Sequence, residues 1–203
     1  KMANSQIKNS DFTNSTFIKT DMPTTKIENS IFTNVNFEEV NLTSSTISDS
    51  NFVKANFNLG KMFGVIINSS ILDEAIITNA NMQKATLSLS SFIKVNFNKS
   101  LLSLSLMDST NLSSSNLAQS KARGVNFSNS NLESADLSYA SFRRSVFLKS
   151  NMKNVKYKGA NFYKSVFTGA DMSTIMSENI HFKKSILCKT KMKDVIINRD
   201  CRN

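Results

Sequence analysis

One proline, five glycines, a single histidine, two cysteines and no tryptophan in 203 residues exclude several architectures at the outset. So little Pro and Gly rules out collagen-like and linker-like chains. No run of 18 apolar residues occurs, so no segment reads as a transmembrane helix. Lys1 to Ser5 lack the charged leader and apolar stretch of a secretory signal. Cys188 and Cys201 are too few for a disulfide framework and have no second pair with which to hold zinc. The expectation is reduced thiols and a cytoplasmic chain.

Catalytic signatures are equally scarce. There is no Gly-x-Ser-x-Gly, no phosphate-binding loop and no dinucleotide fingerprint. His181 has no regularly spaced partner and reads as a solvated side chain. The pairs Glu38-Glu39 and Asp73-Glu74 fall at corners of the pattern described next and read as exposed charge. No enzyme, cofactor, metal or small-molecule substrate is expected.

What is abundant is repetition. Phe12, Phe17, Met22, Ile27, Phe32, Phe37, Leu42, Ile47, Phe52 and Phe57 follow one another at intervals of five. Continued from Met2 to Ile197, the comb has 40 positions, of which 38 are large and apolar, Tyr157 among them; only Ala122 and Ser177 are not. Ala122 is expected to leave a small cavity or kink. A period of five scatters around a helix, and in a flat strand it alternates between faces. The chain must therefore turn a corner every five residues, so that each tooth returns to one interior.

The residue two before each tooth is inward as well. These 39 positions hold 17 Ser, 4 Thr, 8 Ala, 7 Val and 1 Gly, with Ile175 and Ile180 the only larger ones. Small and large side chains thus enter a narrow core side by side. Like residues recur twenty apart, as in Ile7, Ile27, Ile47 and Ile67, so four five-residue faces close one coil. About ten coils stacked at the sheet spacing of about 4.8 Å form an all-β parallel solenoid. It is expected to be continuous over residues 1–197, with a short tail at 198–203. Four glycines, Gly64, Gly124, Gly159 and Gly169, lie two after a tooth, where a corner calls for left-handed backbone. Asn36, Asn56, Asn96, Asn116 and Asp136 are expected to form a hydrogen-bonded ladder. With no capping helix in the pattern, both ends are expected to present an unpaired coil, as a segment of a longer chain or an end-to-end homodimer would.

Segments such as Ala55-Asn56-Phe57, Ala80-Asn81-Met82, Val125-Asn126-Phe127-Ser128, Ala135-Asp136-Leu137-Ser138 and Ala160-Asn161-Phe162 closely resemble the tandem motif of the pentapeptide-repeat family. The resemblance covers essentially the whole chain and implies a right-handed quadrilateral β-helix. Functions in that family are diverse, so it implies no chemistry. Its topoisomerase-protecting members resemble DNA through an acidic face, which a sequence pI near 9.7 contradicts here. Bacterial toxins and effectors that join such a solenoid to another domain are the precedent for a module of a larger bacterial protein, one delivered into a host cell if it is a fragment of an effector.

Two surface features depart from the polar exterior. Phe63, Leu89, Ile93, Leu104 and Leu106 occupy outward or corner positions and are a candidate apolar interaction patch. The charge is uneven, with Lys and Arg exceeding Asp and Glu by one in residues 1–100 and by nine in residues 101–203. The twenty-residue register gathers Arg123, Arg143, Tyr163 and Lys183 into one column and Arg144, Lys164 and Lys184 into the next. This basic ribbon suits an acidic protein, a nucleic acid with Tyr163 stacking on a base, or an anionic membrane surface. The expected function is a non-enzymatic scaffold for protein–protein contact, with a nucleic-acid-associated or DNA-topoisomerase-interacting protein that uses the basic C-terminal half as the alternative.

Overall fold

The computed structural model describes residues 1–174, 182–193 and 195–201. The chain winds as a four-sided parallel β-helix. Columns of residues step by twenty: Asp11 pairs with Ile31, Ile31 with Asn51, and so on in parallel to Asp171 and Lys191. On one side the pairing lengthens into a four-stranded parallel sheet, β1 (Gln6–Lys8), β2 (Lys26–Glu28), β3 (Thr46–Ser48) and β4 (Ile66–Asn68).

Each tooth N–H donates to the carbonyl nineteen residues on, as Phe32 does to Asn51 at 2.7 Å. Each outward N–H donates to the carbonyl twenty-one back, as Asn51 does to Ser30 at 2.9 Å. Corners are closed within the chain, Ser15 N–H reaching the Phe12 carbonyl at 2.9 Å. The residue two after the tooth has positive φ in nearly every repeat, for example Lys54 at 60° and Leu89 at 60°. A four-residue turn with positive φ at its third position is the type II pattern. The four glycines expected there do adopt it, with φ from 62° to 70°, but most repeats impose it on ordinary side chains. Among the described residues Thr24 is the one β-branched residue with positive φ, as expected where branching at Cβ clashes with left-handed backbone. At Gly159 the lack of a Cβ also makes room for a neighbour, since one added there would sit 2.5 Å from the Tyr139 ring.

The teeth fill the axis. Phe32 stacks on Phe52 at 4.8 Å and Phe37 on Phe57 at 5.0 Å, rings near parallel, so the twenty-residue register repeats in the core. Small inward residues are buried beside them, and several hydroxyls are tied to backbone, Ser45 Oγ donating to the Met22 carbonyl at 2.9 Å. Ala122 produces no kink: its N–H donates to the Ser141 carbonyl at 2.9 Å, and the column Leu101, Lys121, Ser141 passes it unbroken. Ser177, Ile175, Ile180 and His181 lie outside the described residues.

The C-terminal end differs from the expectation in two ways. Parallel stacking ends with β5 (Leu187–Met192), and β6 (Val195–Arg199) folds back antiparallel on it instead of continuing the comb to Ile197. Cys188 and Cys201 are joined in a disulfide across this hairpin, not held as free thiols. Arg199 Nη2 donates to the carbonyls of Phe182 and Ser185, both at 3.1 Å, and Ile197 packs on the core. The edge expected to be unpaired is therefore covered here. Sequence spacing missed this because a hairpin can keep a five-residue interval between Met192 and Ile197 while reversing the chain.

Candidate interaction face

The outward residue before each tooth sets the character of each side. On three sides that residue is commonly Asn or Asp, whose side-chain oxygen accepts the N–H two residues on. Thr43 donates to Asn41 Oδ1 at 3.1 Å, Val53 to Asn51 at 2.9 Å and Glu38 to Asn36 at 3.1 Å. Ladders between coils are present in part. Asn56 Nδ2 donates to Asn36 Oδ1 and Asn151 Nδ2 to Asn131 Oδ1, each at 3.0 Å, while Ile76 interrupts the Asn36 column.

The fourth side is different. Its centre column begins Gln6, Lys26, Thr46 and continues Ile66, Thr86, Leu106, Asn126, Val146, Val166, Ile186. Among the described residues only Asn126 makes the Asn-type turn bond here, to Ser128 N–H at 3.0 Å. From Ile66 onward this side, the one whose first coils form β1–β4, presents a mainly apolar strip to solvent. Ile66 and Leu106 are exposed, and Val146, Val166 and Ile186 are half-buried.

One corner of this side is laddered by backbone bonds from Leu104 to Arg123, Gly124 to Arg143, Arg144 to Tyr163 and Lys164 to Lys183. It is apolar at Phe63 and Leu104 and cationic from Arg123 onward, so the ribbon expected from spacing does assemble. Arg123, Arg143, Arg144, Lys164, Lys183 and Lys184 are all exposed. Among the described residues none of the six lies within 4.0 Å of a carboxylate. Three of the earlier lysines instead meet glutamates one coil on, Lys8–Glu28 at 2.8 Å, Lys19–Glu39 at 3.4 Å and Lys54–Glu74 at 3.7 Å. Tyr163 is not a free stacking platform: the Arg143 guanidinium lies over its ring at 5.2 Å and Lys164 Nζ at 5.5 Å.

The apolar patch expected from sequence divides. Phe63, Leu104 and Leu106 lie on this corner and strip, and Leu89, 68% exposed, sits at the far corner of the same side. Ile93 does not join them: half-buried two corners away from Leu104, it donates its N–H to Asp73 Oδ1 at 2.9 Å. Val146, Val166 and Ile186 were missed because each alone is an unremarkable residue before a tooth. Only placing them twenty apart shows one strip. Of the two carboxylate pairs expected to be exposed corner charge, only Glu74 is exposed; Glu38, Glu39 and Asp73 are half-buried, Glu39 meeting Lys19, Glu38 accepting from Asn58 Nδ2 at 3.1 Å and Asp73 from Ser91 Oγ at 2.6 Å. No group of three or more His, Cys, Asp or Glu that could hold a metal is found among the described residues.

The sequence matches the family model for pentapeptide repeats, in eight copies, over residues 25–58 and 110–147. The fold is similar to that of QnrB1, a plasmid-mediated fluoroquinolone resistance protein. A trypsin-treated variant superposes with a TM-score of 0.57 at 15% identity, covering 95% of this chain and 91% of that one. The full-length protein gives 0.54 at 13% identity, with coverage of 93% and 94%. HetL, a pentapeptide-repeat protein involved in heterocyst differentiation regulation in Nostoc sp. strain PCC 7120, gives 0.47 at 18% identity over 89% and 93% of the two chains. No curated protein sequence matches.

Proposed function

Because the chain is a right-handed quadrilateral β-helix of the pentapeptide-repeat family, we propose that it is a non-enzymatic interaction module that binds an acidic protein through its basic corner. One observation carries this reading: the six cations from Arg123 to Lys184 stack along one corner with, among the described residues, no carboxylate within 4.0 Å of any of them. Like charges about 4.8 Å apart in a column repel. An opposing acidic surface removes that repulsion and accelerates encounter.

QnrB1 is described as a resistance protein, and at 15% identity the likeness concerns the fold. It lends weight to a scaffold and does not identify a partner. Nucleic acid is the second reading, since cation columns can follow phosphates. The cover of Arg143 over Tyr163 counts against base stacking.

Fluorescence anisotropy with labelled poly-glutamate, duplex DNA and single-stranded DNA, each at low and at physiological salt, separates the two. The expected result is binding to poly-glutamate that is lost in the Arg143→Glu/Arg144→Glu/Lys164→Glu variant. DNA binding that persists at physiological salt while poly-glutamate binds no better than a neutral peptide would move the assignment to nucleic acid.

A further inference from the structure

We propose that the partner element is an acidic amphipathic α-helix lying lengthwise on the side centred on Ile66, Leu106, Val146 and Val166. This rests on the acidic-protein reading above and specifies the shape and pattern of what binds. Three properties of this side lead to it.

The first is that a sheet surface is offered, and not a sheet edge. The centre column is bridged in parallel to the coils before and after it from Thr86 to Val166: Thr86 N–H donates to the Val65 carbonyl and its carbonyl accepts the Ile67 N–H, while the flanking Leu87 N–H and Ala85 carbonyl bond Leu106. An extended peptide cannot add a strand there. Parallel sheets with an apolar outer surface are covered, as a rule, by helices.

The second is charge. Between residues 63 and 189, the two corners bounding this side carry nine cations, Lys149 and Lys189 on the far corner included, against the single carboxylate of Asp108. Nearly all of the formal +10 of the chain thus flanks one strip. A second copy docking by the same side would bring two such borders together, which excludes self-association there. A helix with a Leu or Ile stripe and Glu or Asp on both flanks complements it.

The third is length. Ile66 to Ile186 spans six steps of about 4.8 Å, or about 29 Å. A helix of about 19 residues, at 1.5 Å per residue, covers it. Its seven-residue repeat of about 10.5 Å nearly matches two coils, so one stripe can keep contact with Leu106, Val146 and Ile186 in turn. At the far end Ile186 sits in a cleft with Lys164, Lys184, Asp200 and the disulfide-bound Cys201, and the Asp200 carboxylate there marks where an acidic helix would stop.

The test uses the full chain and two synthetic peptides of about 19 residues and identical composition, one with Leu at helical spacing and Glu elsewhere, the other scrambled. Isothermal titration is expected to show the patterned peptide binding at least tenfold tighter than the scrambled one. Leu106→Ser/Val166→Ser should abolish that advantage while leaving poly-glutamate binding unchanged. Thr46→Ser, on the same column outside the strip, should change neither, and circular dichroism establishes that each variant is folded. Equal affinity for the two peptides, with poly-glutamate still bound, overturns the helix proposal and leaves the acidic-partner reading standing. Failure of all three probes overturns both, as does duplex DNA binding more tightly than the patterned peptide at the same salt.

Discussion

At the level of single residues, the inward pair of tooth and small residue decides stability. Phe52 is fully buried between Phe32 and the neighbouring rings, so Phe52→Asp places a charge with no partner on the axis and should cost several kcal/mol, or prevent folding. Lys54, two residues on, is exposed, and its φ of 60° suits Asn, so Lys54→Asn should shift the thermal midpoint by no more than a degree or two. Equal midpoints for the two variants would refute the inward and outward assignment. The small positions are not equivalent. Ser145 Oγ donates to the Ala122 carbonyl at 2.7 Å and accepts the Val125 N–H at 3.2 Å, whereas the buried hydroxyls of Ser105, Ser115 and Ser120 have no partner. Ser115→Ala should therefore be neutral or stabilising by up to about 1 kcal/mol, and Ser145→Ala destabilising by about 1–3 kcal/mol. Denaturant midpoints of the two variants check the sign. The inward and outward assignment was legible in the sequence, because a comb of Phe at five-residue spacing admits few backbones; the hydroxyl partners and the left-handed backbone of ordinary residues such as Lys54 were not. Which serine finds a carbonyl depends on rotamers that spacing does not specify.

At the level of elements, the closing hairpin holds the last coil. The disulfide joins residues 13 apart, and a loop of this size is worth about 3 kcal/mol in the chain-entropy picture. Reduction, or Cys188→Ser/Cys201→Ser, should lower the thermal midpoint and raise amide exchange across β5 while the coils around Phe52 keep their protection; uniform loss along the rod would contradict a local role. Asp171 ties the same end from the adjacent side. Burial pushes its carboxyl up, but hydrogen bonds from Ser173 with Lys153 at 3.5 Å and Lys191 at 3.8 Å outweigh this, so it stays below the usual carboxylate range. Asp11 and Glu28 are lowered too, by hydrogen bonds from Thr13 and by Lys8 respectively. A carboxyl lowered in the folded state contributes stability above its unfolded pKa, and that contribution disappears as pH falls through the folded value. The rod should lose stability below about pH 4, and Asp171→Asn should flatten that loss, as acid titration of the unfolding midpoint would show. None of this element was legible beforehand: two cysteines in 203 residues give no framework, and the reversal at β6 keeps the comb's spacing.

For the whole molecule, the twenty-residue step made the columns legible, and with them the basic corner. Of the apolar strip Leu106 was singled out beforehand; Val146, Val166 and Ile186 stayed hidden because each is ordinary alone and acquires meaning only from stacking. The same four-sided winding has a further consequence. Excising residues 111–115 removes one side of one coil and leaves every tooth in phase, so circular dichroism should still report a folded β-helix. Everything downstream would nevertheless be rotated by a quarter turn, swinging Val146, Val166 and the arginines around the axis and away from Ile66 and Leu106. Excising residues 111–130 restores the alignment in a shorter rod. The first deletion should abolish preference for the patterned peptide, and the second should keep it. Insertions and deletions in such a chain therefore act as a rotary index, resetting which surfaces share a bearing without disturbing the axle.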